Sequence, residues 1–196
     1  MLFALTAVTL ALVARQGATR KAFNTVAGPY IAYAERLYMC EPPDRPYPWR
    51  WHFTPSQFNP QRPQELQRLT GNMTGDNIHI DDSCTLKVNV DAWSNSLNRY
   101  KVDFVVIDFK DKACQKIRML IPGFCATVYK SKEIKRVCDF EPGLYEVNNR
   151  TVDWTVPNIP IFPYGRYKMR LSSEKAGETI FCLGVDFRTI PNPVHR

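Results

Sequence analysis

The sequence predicts an all-β protein, an antiparallel β-sandwich tied by disulfides. Three observations carry that expectation. Short segments alternate apolar and polar residues with a period of two, as half-buried strands require. Turn residues separate them, at Asn95-Ser-Leu-Asn98, Pro142-Gly143 and Pro163-Tyr-Gly165. Six cysteines stand at 40, 84, 114, 125, 138 and 182 without any Cys-x-x-Cys, which disfavours a zinc ribbon or thioredoxin-like site and favours disulfides.

The elements follow in order. Residues 19–39 carry apolar and basic residues without a clean period, which suggests a short extension or a frayed helix. The stretch Cys40-Glu-Pro-Pro-Asp-Arg-Pro-Tyr-Pro-Trp-Arg-Trp51 is rich in proline and favours an extended arm or a sheet edge. Trp49 and Trp51 are expected to pack across the sandwich surface, with a carbohydrate platform as the alternative. Leu86, Val88 and Val90 alternate with Lys87, Asn89 and Asp91 as one strand. Tyr100 to Phe109 is another, with Tyr100, Val102, Phe104 and Val106 on one side. Val105, Ile107 and Phe109 occupy its other side, so its later half is expected to be buried on both faces. Ala113 to Leu120 suits a short helical turn. Tyr167, Met169 and Leu171 alternate with basic residues, and Phe181, Leu183, Val185 and Phe187 share a face of the last strand. The expected organisation is 1–18 signal peptide, 19–69 N-terminal extension and proline/aromatic arm with the first strand, and 70–190 the β-sandwich domain.

Length and composition agree with one domain plus appendages: 196 residues, with 44% hydrophobic. Leu2 to Val13 is apolar, uncharged and short, like the core of a secretory signal with cleavage near Ala14 or Ala18. An uncleaved anchor is the alternative. Asn72-Met-Thr74 and Asn149-Arg-Thr151 are glycosylation sequons, which adds to an expectation of export. The net charge of +7 comes without an arginine-rich run or RNA-binding aromatic motif, so nucleic acid is not an expected partner. Lys130, Lys132, Lys135 and Arg136 form either a site for anionic headgroups or a solvated face.

Catalytic machinery is not evident. The three histidines are His52, His79 and His195, and no Gly-x-Ser-x-Gly, His-Glu-x-x-His or phosphate loop occurs. Asp81 and Asp82 are adjacent, so on a strand they face opposite ways and cannot act as paired acids. No enzyme activity, metal or cofactor is expected.

The order of features between residues 70 and 187 resembles the lipid-recognition (ML) family, its ganglioside-activator branch in particular. Cys114-x4-Met119-Leu-Ile-Pro122 carries the similarity first. Cys138-Asp-Phe-Glu-Pro-Gly143-Leu-Tyr145, Thr155-Val-Pro157, Pro160, Gly165-x-Tyr167, Gly177-Glu178 and Cys182 follow, with Gly71-Asn-Met-Thr74 upstream. The resemblance implies an immunoglobulin-like sandwich with splayed sheets and a lipid cavity between them. It implies a secreted lipid-binding or transfer protein, extracellular or in the lysosomal lumen, with secreted arthropod chemosensory-type members in the same family. The implied disulfides are Cys114 with Cys138 and Cys40 with Cys182. Cys84 and Cys125 are then left to each other, a bond without a counterpart in the activator branch, which has eight cysteines.

Two segments are the expected mouth of that cavity. Met119, Leu120, Ile121 and Phe124 form an apolar stretch, and Met adapts to irregular ligands. Ile159, Ile161, Phe162 and Tyr164 lie among three prolines that keep the chain extended. The alternative for both is that they cap the core. A sixteen-carbon acyl chain buried there would gain roughly 12 kcal/mol gross, before ordering costs. Expected partners are a lipid or small hydrophobic ligand, transient membrane-surface contact and a protein receptor. The alternative function is a co-receptor or chemosensory interaction protein on the same fold, using an exposed patch of Tyr47, Trp49 and Trp51.

Overall fold

Strand pairing accounts for most of the structure, a computed structural model that describes residues 26–40, 46–129 and 138–193. The strands are β1 (Ala27–Gly28), β2 (Tyr30–Met39), β3 (Trp49–Pro55), β4 (Gln67–Gly75), β5 (Ile80–Asp81), β6 (Leu86–Ser94) and β7 (Arg99–Phe109). Two helices follow, α1 (Ala113–Leu120) and α2 (Pro122–Tyr129). The chain continues with β8 (Asp139–Phe140), β9 (Gly143–Val152), β10 (Phe162–Pro163), β11 (Gly165–Lys175) and β12 (Glu178–Pro191). A five-stranded sheet runs in the order β2-β12-β11-β6-β7, and a three-stranded sheet in the order β3-β4-β9. Two small ladders, β1-β10 and β5-β8, complete the pairing, and every pair is antiparallel.

One apolar cluster joins the elements. Leu37, Val88, Leu171, Leu183 and Val185 of the larger sheet enter it together with Trp49, Phe53, Leu69, Met73 and Val147 of the smaller. The alternation expected for Leu86–Val90 and Tyr167–Leu171 is present as inward Leu86, Val88, Val90, Tyr167 and Leu171. At Gly71 the fold demands glycine. Its φ is +136°, and a Cβ there would sit 1.9 Å from the His52 carbonyl oxygen, beside a register shift in the β4–β9 ladder.

Four regions depart from the sequence expectations. The 19–39 segment holds a ten-residue strand, β2, paired with β12 along the edge of the larger sheet. A bulge at Asp186/Phe187 takes Glu35 out of the ladder, so inward residues change from even (Tyr30, Ala34) to odd (Leu37). The sequence therefore shows no single period. Trp49 and Trp51 are not on a surface: they are 1% and 4% exposed, and their indole N–H groups donate to the carbonyls of Ile78 and Tyr38 at 2.7 and 2.9 Å. Tyr47 is also buried, which removes the aromatic patch expected for a receptor.

The second half of β7 is not buried on both faces. The strand is the sheet's edge, and Val102, Phe104 and Val106 remain 63%, 39% and 47% exposed. A register shift against β6, with Asp103 at φ 52°, sets this outer row apart from inward Val105 and Ile107. Finally, Met119–Phe124, expected as an apolar stretch at the mouth, is the junction of two helices. Pro122 opens α2 at the position where a missing N–H costs nothing.

The disulfides Cys40–Cys182 and Cys114–Cys138 are present. The first ties β12 to the residue after β2, and the second ties α1 to the residue before β8. The expected third bond is not: Cys84 and Cys125 are buried free thiols. Cys84 instead lies 3.6 Å from both the His79 carbonyl and an Asp81 carboxylate oxygen. Asn72 is half-buried in β4, and Asn149 is exposed at φ 49° in β9. The basic cluster 130–136, the signal segment and His195 lie outside the described residues.

Candidate ligand cleft

The inner face of the larger sheet leads into an apolar cleft. Val88, Val90, Val105, Ile107, Met169, Leu171, Val185 and Phe187 form its floor, and Tyr30, Ala32, Tyr33 and Ala34 of β2 its side. Period-two alternation places these side chains on one face. Opposite stand Leu120 and Ile121 from the end of α1, Phe124 of α2, and Trp154, Val156, Ile159 and Phe162 of the segment between β9 and β11. The enclosed space is about 150 Å³, within an opening whose whole empty volume, solvent mouth included, is about 1180 Å³.

Hydrogen bonds fix the frame, and aromatic rings line it. The Phe162 ring lies 5.6 Å from Tyr30 and 5.2 Å from Tyr167, and Tyr167 stacks on Phe187 at 5.1 Å. The Pro163 carbonyl accepts from the Thr189 hydroxyl at 2.7 Å and from the Tyr167 hydroxyl at 2.9 Å. Tyr164 donates its hydroxyl to the Pro29 carbonyl at 3.1 Å. These bonds hold the carboxyl-terminal end of the loop while residues 153–161 form no strand. Burial pushes the phenols of Tyr30 and Tyr167 above their ordinary value. They therefore stay neutral and keep their protons.

Of the eight expected mouth residues, Leu120, Ile121, Phe124, Ile159 and Phe162 line the cleft. Met119 and Ile161 do not. They point outward, 40% and 61% exposed, each next in sequence to a lining residue. Tyr164 does not line it either, since its side chain reaches Pro29. Sequence reasoning missed Tyr30, Tyr33 and Trp154. The first two were hidden by the bulge in the β2 ladder. Trp154 sits in Asp153-Trp-Thr, where no periodicity marks it.

A second cavity, of about 170 Å³, adjoins the first and shares Tyr30, Ala32, Tyr33 and Trp154 with it. Its other walls mix polar residues, Gln64, Glu65, Asp153, Thr155 and Asn192 among them, with apolar Ile31, Phe58, Pro63, Leu66 and Val152. Lysine, arginine and histidine line neither cavity among the described residues.

Ionisable groups gather instead around β5 and β8. Lys175 donates to Asp81 at 2.6 Å, and Ser83 donates to the same carboxylate. Burial alone would raise the Asp81 pKa, but these hydrogen bonds outweigh it and hold the carboxyl well below its ordinary range. His79 Nδ1 lies 2.9 Å from Asp139. Burial raises the Cys84 thiol and pushes that of Cys125 up to about 12, so both stay protonated and are poor nucleophiles. The described residues contain no group of three or more metal-ligating side chains, and no helix long and apolar enough to cross a membrane.

Comparison with models of known protein families finds no match, and comparison with curated proteins finds none either.

Proposed function

We propose that this chain is an exported lipid carrier of the lipid-recognition type, an immunoglobulin-like sandwich whose sheets part to hold one acyl chain or similar apolar ligand. The cleft carries this reading: an apolar lining without basic or acidic side chains, to which β7, the α1–α2 junction and the 153–161 segment all contribute. Such clefts are the ordinary form of a small-molecule site. Its enclosed part has the size that holds a benzene-like guest, about 150 Å³, so a longer chain runs on into the open part. Each buried methylene contributes about 0.8 kcal/mol, and no reacting group is required. The disulfides suit an oxidising compartment, extracellular or lysosomal.

The same reading gives the rim its role. Met119 and Ile161 are exposed, and each adjoins a cleft-lining residue in sequence. An apolar rim of that kind suits transient contact with a membrane during loading, or with a receiving protein.

Native mass spectrometry of the glycosylated protein secreted from eukaryotic cells, with extraction and identification of bound lipid, tests the proposal. A co-purified acyl lipid supports it. An apo mass that also takes up no fatty acid, sterol or glycolipid overturns it. Phe162→Asp adds a local test: the fold is expected to survive, and loading to be lost, because a charge would enter the cleft unpaired.

A further inference from the structure

The wall between the two cavities holds an unusual group. The Trp154 indole N–H is buried without an acceptor, whereas the buried Trp49 and Trp51 both have one. Two other buried polar atoms share that condition among the described residues, Asp82 Oδ1 and Arg188 Nε. Arg188 Nε has Glu35 at 2.5 Å, and neither residue lines either cavity. An N–H left unpaired out of water is costly, so structures rarely keep one without a use.

We propose that the apolar cleft and the polar cavity behind Trp154 are two compartments of one site, which accepts an uncharged, oxygen-bearing amphiphile such as a monoacylglycerol or long-chain alcohol and rejects fatty-acid anions. This rests on the carrier reading above and adds the chemistry of the head. Three features select that head. The polar compartment is lined in part by Glu65 and Asp153, one carboxylate oxygen of the latter accepting from the Thr155 N–H at 2.8 Å, and by no lysine, arginine or histidine. Arg62, the partner of Glu65 at 3.8 Å, is 76% exposed and spends its charge on solvent. An anionic head would lose its hydration and meet only like charge. Ionised carboxylates accept hydrogen bonds and donate none, so they match hydroxyl groups on the ligand.

The third feature is the indole itself. Trp154 rests against Phe124 with ring centroids 6.0 Å apart and, with Tyr30, Ala32 and Tyr33, lines both compartments. A ligand spanning both displaces the ring, and the N–H that lacks an acceptor in the closed wall then meets the ester or hydroxyl oxygen joining tail to head. Trp154 thus acts as both partition and recognition element.

The test uses the full chain, secreted and delipidated, with the neutral fluorophore N-phenyl-1-naphthylamine as reporter of the apolar cleft. Hexadecanol, monopalmitoylglycerol and palmitate at pH 8 compete for it; they share a tail and differ in head. Monopalmitoylglycerol is expected to displace the reporter at roughly one tenth the concentration palmitate needs, the equivalent of one hydrogen-bonding or charge term. Trp154→Phe should bring monopalmitoylglycerol roughly tenfold closer to palmitate in this competition, with reporter affinity determined for the variant itself. Glu65→Gln with Asp153→Asn should bring palmitate closer to the neutral lipids. If palmitate matches or beats monopalmitoylglycerol, or Trp154→Phe changes nothing while the reporter still binds, the two-compartment site is wrong and the carrier reading stands. If neither reporter nor any lipid binds, both fail together.

Discussion

Two parts of the same apolar interior behave differently. Around Trp49, Leu69, Phe140, Ile180 and Phe181 the side chains are 2% exposed or less, and the remaining void is about 30 Å³. Around Val105, Ile107, Ile159 and Phe162 the residues are just as apolar, yet they stay half-buried and enclose the cleft. Composition does not separate them; the cover does. The filled part lies beneath a hydrogen-bonded three-stranded sheet and helices pinned by Cys114–Cys138. The open part is covered by residues 153–161, which hold prolines at 157 and 160 and form no strand, only the two-residue β10 after them pairing with β1. A lid without a ladder leaves room that a ladder would have filled.

The sharpest way to test this contrast is to empty both parts. Trp49→Ala should lower unfolding stability by about 4 kcal/mol. Phe162→Ala, at the half-exposed site, should cost about 1 kcal/mol. Denaturant unfolding of the two variants measures the gap, and equal losses would mean that the cleft is packed in solution. Next in size, Cys114→Ser with Cys138→Ser should cost about 3 kcal/mol through the lost cross-link, with ligand uptake retained once the protein is folded.

Filling gives the converse. Leu69→Phe overpacks the closed part and should cost about 1–3 kcal/mol. Val185→Phe, on the cleft floor, should alter stability by less than about 1 kcal/mol while reducing lipid loading. Thermal unfolding paired with reporter binding distinguishes them.

The smallest effect concerns acid. Asp81 has its folded pKa lowered from 3.8, so its stabilising contribution is present above that value and is lost as pH falls through the lower folded pKa. Asp81→Asn should flatten the stability curve below about pH 4 and leave the cleft's ligand affinity unaltered. An acid limb identical to that of the wild type would show that the Lys175 pairing does not couple to folding.

Much of the sheet framework is legible in the sequence where strands run without bulges. Leu86–Val90, Tyr167–Leu171 and Phe181–Phe187 are such cases. β2 is not, because its bulge switches the inward parity midway. The second helix escaped for a different reason: Pro122 signals a break from inside a helix but a start at its first position, whereas α1 spans the helical turn expected for Ala113 to Leu120. Of the eight residues expected at the cleft's mouth five line it, because an apolar residue beside prolines marks a lid. The valines of its floor were not foreseeable as lining, since an inward valine reads the same whether the space it faces is filled or empty. The Cys84–Cys125 expectation failed because counting thiols in sequence reports nothing on their separation, and the two stand as separate buried thiols.

The bond between Cys40 and Cys182 spans 142 positions. Every loop between those residues, including the ladder-free 153–161 segment, lies inside that covalent ring. A protease that cuts the ring once opens it without releasing a fragment. The exposed lid is the preferred place for such a cut, and a nicked molecule would keep both pieces. Gel mobility with and without reductant would display this directly: one band before reduction, two after.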